Sequence, residues 1–286
     1  MKFFKINKAW LLLLPAFLFL LLPIYGLFSA LMSSLTMNGS FTISVYEELF
    51  SRDSFWTSLL YSLQIAFIAT ILSLLFGLLI TRSFFPYINQ LSGKLSVWIP
   101  MLFPHFVWGY IVLLLFQQSG FLSHLAFEIG LIDSRDAFPI WTNDKAGVGM
   151  ILTYMGKEIP FVLLMLLPIY AQQNTNYKDL VQTLGGSRFA QFKDAEWPFV
   201  FPVLMETGII LFSFVFSAYE VPYLLGSTFP EMISILTYDW FYSGDWSERP
   251  LAFAAMFFTS VIIGIIAWVG FSLLNRKRWL LTKGQR

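Results

Sequence analysis

The chain has 286 residues, of which 57% are hydrophobic and 12% charged, with a formal net charge of +1. That charged share is about half of the ~25% usual in soluble domains and points to a membrane protein. With no cysteine, a disulfide framework, a zinc ribbon and a thiol nucleophile are all excluded.

Lys2, Lys5 and Lys8 precede an apolar run at 9–31. A secretory signal has an apolar region of only about 7–15 residues, so the run predicts an uncleaved transmembrane helix kinked at Pro15 and Pro23. Further apolar runs lie at 57–80, 95–116, 147–171, 199–225 and 251–274. Each reaches the roughly 20 residues that cross a bilayer core as a helix. None alternates as barrel strands do, and no other structure satisfies the backbone in lipid. The expected fold class is therefore all-α integral membrane, with six transmembrane helices. No repeat, low-complexity tract or linker interrupts it, so a single transmembrane domain is expected over 1–286.

Basic residues set the orientation. With the N-terminus inside, thirteen of the eighteen Lys and Arg fall in inner segments: at 2–8, at Arg82 and Lys94, at Lys178, Arg188 and Lys193, and in the tail from Arg276. Arg52, Arg135, Lys145 and Arg249 fall outside, and Lys157 lies in a span. The positive-inside rule predicts that both termini and the 177–198 segment are cytoplasmic. The outer loops hold eleven acids, among them Glu47, Glu48, Asp144 and Glu248. They read either as a surface that attracts a cationic solute or a basic receptor face, or as loops kept soluble by charge. Trp141, Trp240, Tyr242 and Trp246 read as interfacial anchors.

Pro100 and Pro104 loosen the third span, where His105 reads as a hydrogen-bonded packing residue rather than a ligand. The fourth span carries Lys157 and Glu158 before Pro160. Neighbouring helical residues point about 100° apart, so this pair cannot face itself. Each group either lines an interior path or pairs with another helix. In the fifth span Glu206, Ser213, Ser217 and Glu220 fall within about 60° of helical arc, one polar stripe facing a pathway or another subunit. Either carboxylate could instead pair with Lys157. No phosphate loop GxxxxGK[ST], HExxH motif, metal cluster or Ser-His-Asp spacing occurs, and LSGKL at 91–95 stands in a short inner loop.

The most distinctive stretch is YKDLVQTLGGSRFAQFKDAEWPFVFP at 177–202. Residues 178–184 read as a short amphipathic helix with Leu180, Val181 and Leu184 on one face. Gly185 and Gly186 supply a positive-φ stop. Ser187 reads as the N-cap of a second short helix with Phe189 and Phe192, and Pro198 is expected to close it. An ordinary amphipathic interfacial loop is the plain alternative.

This pattern resembles the EAA loop of ABC importer permeases. Asp179 stands six residues before Gly185, Phe192 seven after it and Pro198 thirteen after it. Asp179 replaces the usual Glu, and Leu180 and Val181 replace two alanines. Gln117-Gln118-Ser119-Gly120 after the third span, and Glu220-Val221-Pro222-Tyr223-Leu224-Leu225-Gly226, resemble segments of polyamine permeases. Iron and thiamine permeases carry a comparable acid at the latter place.

The resemblance implies a type I importer permease in the bacterial cell membrane, closest in look to polyamine, ferric iron and thiamine permeases. It implies an ATPase dimer on the inner loops, a second permease subunit forming a heterodimer, and an extracytoplasmic solute-binding protein. ATP would be bound by the partner subunits, with no cofactor in this chain; the chain itself would contact membrane lipid and no nucleic acid. Asp179, Gly185, Gly186, Ser187, Phe192 and Pro198 would form the ATPase-coupling loop at 177–198. Glu206, Ser213, Ser217, Glu220, Lys157 and Glu158 are the pathway candidates. The chain is thus expected to transport rather than catalyse, taking a small cationic solute such as a polyamine, or alternatively ferric iron, thiamine or another small solute. An intramembrane enzyme using Glu158, Glu206 or Glu220 has no use for the inner loop. A passive channel needs no ATPase socket.

Overall fold

The computed structural model of the chain describes residues 8–37, 39–172 and 176–283. Lys2, Lys5 and Arg286, which enter the charge count above, lie outside the described residues. Helix α1 (Lys8–Ser34) leads to a small antiparallel hairpin, β1 (Thr36–Met37) with β2 (Ser40–Phe41). Then come α2 (Ser44–Ser51), α3 (Asp53–Ile88), α4 (Leu91–Leu102), α5 (His105–Phe116), α6 (Phe121–Glu128) and α7 (Val148–Gln172). The remainder is α8 (Asn176–Thr183), α9 (Arg188–Ala190), a π turn (Gln191–Glu196), α10 (Trp197–Ser217), α11 (Glu220–Leu225), α12 (Ile233–Tyr242) and α13 (Arg249–Lys283).

Among the described residues six helical stretches are long and apolar enough to cross a membrane. Helices α1, α3, α7 and α13 match the expected spans and overrun most of their ends. Two spans depart from expectation, both at prolines. The expected third span at 95–116 is split, because the ring of Pro104 drives Phe103 into extended backbone (φ −85°, ψ 136°). Helix α4 therefore stops at Leu102, and the stretch long enough to cross is His105–Glu128. The fifth span ends at Ser217 rather than Leu225, with Ala218 extended (φ −67°, ψ 139°). Pro222 is the cause, since in a continuous helix its ring would meet the carbonyl of Ala218.

By packing, the chain forms two compact units: Met1–Trp56 with Leu236–Ile262, and Thr57–Ile235 with Ile263–Arg286. In the first, Phe55 is fully buried and packs edge-on to Phe258 at 5.9 Å. Arg52 bridges Glu48 at 2.7 Å and Glu248 at 2.9 Å, with its guanidinium over the Trp240 ring. Two of the acids counted as an outer surface thus neutralise a cation, and Asp144 accepts from the Val148 N–H at the start of α7.

In the second unit α7 is the central helix, packed against α4, α5 and α10. Half of its most apolar part is buried, against none of that in α1. Val162, Leu166 and Tyr170 of α7 meet Val200, Leu204 and Leu211 of α10, with Leu74, Leu78 and Phe85 of α3 against them. Helix α3 approaches closely at Gly77, where a Cβ would lie 2.6 Å from that of Val162. In lipid such contacts stabilise through packing rather than dehydration.

Candidate functional site

The 177–198 segment folds locally much as its residues dictate. Helix α8 ends in a double cap: Gly185 N–H donates to Gln182 O and Gly186 N–H to Val181 O, each at 2.9 Å. That 5→2 and 6→1 pairing needs a left-handed residue, and Gly185 supplies it at φ +78°. Gly186 is required for space, since a Cβ there would lie 2.7 Å from the carbonyl oxygen of Val181. Ser187 then caps the next helix, its Oγ accepting from Ala190 N–H at 3.2 Å.

Pro198 does not close that helix. The backbone stays helical from Arg188 to Ser217, and Pro198 sits in the first turn of α10. Its missing N–H is absorbed by the preceding π turn, in which Trp197 N–H reaches back to Phe192 O. The second arm of the expected pair of short helices is thus the start of the fifth span.

The apolar side chains here are turned outward. Leu184 is 80% exposed and Phe189 73%, with Leu180 and Tyr177 also exposed. Asp179 is exposed as well. Phe192 is half-buried beneath the Arg82 guanidinium at 4.6 Å and beside Trp197.

What holds this segment to the spans is Glu196, which the motif did not single out. Glu196 is 3% exposed and closes the π turn. Its Oε2 accepts from Arg82 Nε of α3 and from the Tyr170 hydroxyl of α7, both at 3.2 Å. Its Oε1 lies 3.3 Å from Lys178 Nζ of α8. A sequence signal existed: Arg82 near the inner end of one predicted span and Glu196 at the start of another are opposite charges at matching depth.

Lys157 and Glu158 sit at the break between α4 and α5. Lys157 Nζ donates to the carbonyls of Met101 at 2.8 Å, Phe103 at 2.6 Å and Pro100 at 3.4 Å. These are the carbonyls a helix C-terminus leaves unpaired, and a cation there also suits the helix dipole. Glu158 Oε1 lies 2.8 Å from His105 Nε2, at the first residue of α5. Side chains diverging from neighbouring positions thus secure the two sides of one break. Each has a structural partner, and His105 is hydrogen-bonded where it packs.

The predicted polar stripe is not continuous. Glu206, Ser213 and Ser217 lie on α10, whereas Glu220 opens α11 beyond the break, so the helical-arc argument fails at its fourth member. Ser213 and Ser217 turn their hydroxyls back to the carbonyls of Ile209 and Ser213, each at 2.8 Å. Glu206 is half-buried and Glu220 exposed. Gln117, Gln118 and Ser119 line an open pocket of about 470 Å³ with Arg135, Asp136 and Thr142. Among the described residues no cluster of His, Asp or Glu is placed to hold a metal ion.

This arrangement of helices is the fold of ABC importer permeases. A chain of a bacterial ABC transporter involved in the import of the acidic polysaccharide alginate matches with a TM-score of 0.71 at 17% identity, covering 95% of this chain and 97% of that one. A bacterial alginate ABC transporter in complex with an alginate pentasaccharide-bound periplasmic protein gives 0.72 at 17% identity, over 96% and 98%. The MetNI methionine ABC transporter in an inward-facing conformation gives 0.51 at 14% identity, over 81% and 97%. In sequence the chain is similar to the inner membrane ABC transporter permease protein YnjC of Escherichia coli (strain K12), 24% identical over 246 residues. That match covers 84% of this chain but only 45% of YnjC, so the chain spans less than half the length of this relative. No protein-family model matches the chain.

Proposed function

We propose that this chain is the membrane-spanning permease subunit of an ATP-driven ABC importer, working by alternating access. The observation that carries the reading is the 177–198 segment. It is a capped helix–turn–helix that exposes Leu180, Leu184 and Phe189 while running without a break into a membrane span. Apolar side chains presented on a rigid turn fit a socket on a partner. Continuity with α10 gives a push on that turn a direct route into the bundle. The ATPase dimer would dock there, on the cytoplasmic side by the distribution of basic residues, and would bind all the ATP. YnjC has room for a second segment of this size, which accords with a second, non-identical permease subunit. A solute-binding protein would dock on the opposite face, as a periplasmic protein is present in one alginate transporter complex.

For the solute, the reading is a small cation such as a polyamine, drawn by Glu220 with Glu206 deeper in the bundle. Ferric iron and thiamine are the alternatives within the same chemistry. The test of the subunit assignment is purification of the tagged chain from its own membranes. Vanadate-sensitive ATP hydrolysis should accompany it, while the chain stripped of partners should bind no ATP. A chain that purifies alone, or binds nucleotide itself, would refute the assignment.

A further inference from the structure

The carboxylate of Glu196 divides its two oxygens between two parts of the second unit. Oε2 serves Arg82 of α3 and Tyr170 of α7, while Oε1 faces Lys178 of α8. Its side chain is 4% exposed, whereas Arg82 and Lys178 are 40% and 34% exposed. The acid is thus fixed inside and its cations approach from the rim. A buried carboxylate tolerates loss of a cation poorly, so the elements bearing those cations are held in one arrangement. The π turn at Gln191–Glu196 brings Ala195 and Glu196 inward together, leaving Lys193, Asp194 and Trp197 exposed. Such turns interrupt regular helical bonding and recur where a helix is put to use. The Oε2 side joins α10 to α3 and α7, whereas the Oε1 side brings in α8 through Lys178, whose ammonium also stands 6.0 Å over the Tyr170 ring of α7.

We propose that Glu196 is a positioning residue that latches α8 to α3 and α7, so that displacement of the 177–198 loop moves these spans as one body. This rests on the reading of the chain as an ATP-driven permease. The loop residues that a partner pushes and the residue that passes the push on are then different: Leu184 and Phe189 outside, Glu196 inside.

The absence of cysteine in this chain permits clean labelling without knowledge of the solute. A spin label at Gln182→Cys reports on the loop, and one at Leu79→Cys reports on α3. In the complex purified with its ATPase, ATP with vanadate should shift both spectra. With Glu196→Gln or Lys178→Met added, the loop label should still respond while the α3 response falls about tenfold, within the usual range of coupling between sites. Lys178→Arg should restore it, which a general loss of packing would not allow. Should Glu196→Gln not assemble, Lys178→Met decides alone, because it leaves the Arg82 and Tyr170 bonds in place. An α3 response equal to the parent's in Lys178→Met overturns the latch while leaving the permease assignment standing. An unmutated complex that lacks an ATPase, or shows no response at either label, overturns both.

Discussion

The second unit contains two buried ionic clusters that solve different problems. At the α4–α5 break, Lys157 and Glu158 come from one helix; Lys157 donates to backbone carbonyls at the end of α4, and Glu158 bonds the His105 ring at the start of α5. At the π turn, Glu196 draws side chains from three other elements, two of them more than a third exposed. Backbone partners fixed within a bundle make a strut, which has one geometry. Long side chains reaching in from the rim make a joint, which ties separate elements together so that they move as one. Intramembrane charge is therefore no sign by itself of a transport path; what it touches decides.

Substitutions should separate strut from joint. The largest effect on stability is expected for Lys157→Ala, which takes the Lys157 donor from the carbonyls of Met101 and Phe103. A loss of about 2–3 kcal/mol follows for a buried charged hydrogen-bond partner. Thermal unfolding of the detergent-solubilised complex should show it as a clear drop in midpoint, with surviving complexes still coupling hydrolysis to movement. Normal stability with lost coupling would instead place Lys157 among the moving parts.

Gly185→Val comes next. A β-branched residue at φ +78° costs about 1–2 kcal/mol, and nothing lies within 4 Å of its Cβ position, so the cost is backbone alone. The loop should lose its turn while the bundle keeps its midpoint, and ATP hydrolysis should no longer move the α3 label. An unchanged response would show that the turn tolerates the strain. The smallest effect is expected for Ser187→Ala, which removes one cap worth about 1 kcal/mol. Ser187→Asp should recover it, and hydrogen exchange at Arg188–Ala190 is the measurement. If neither variant alters exchange, the cap is not what starts that helix.

Much of the loop was legible because its signals are local. The positive φ at Gly185, the cap at Ser187 and the outward apolar face of α8 each depend on residues within a few positions. The six apolar stretches were legible for the same reason. The breaks at Phe103 and Ala218 were less so, since a proline in an apolar run reads equally as a kink or a stop until packing chooses. Pro198 illustrates the reverse error: a π turn three-dimensionally absorbs what one-dimensional reasoning takes for an end. Glu196 was illegible for a different reason, because its partners Arg82 and Tyr170 lie 114 and 26 positions away. Only the depth of each charge in its span hinted at that meeting. Lys157, weighed as a partner for Glu206 or Glu220, took backbone carbonyls that exist only because the third span is broken.

On the proposed reading, the exposed face of the 177–198 loop seats in an ATPase. A photoreactive residue at Phe189, 73% exposed, tests it most directly, with one at Phe121, 61% exposed on α6, as the control. Irradiation of intact membranes should join the Phe189 probe to a polypeptide that binds ATP analogues, and the Phe121 probe should not yield that product. Equal yields from both positions, or a Phe189 probe that reaches only lipid, would show that this loop does not seat in an ATPase.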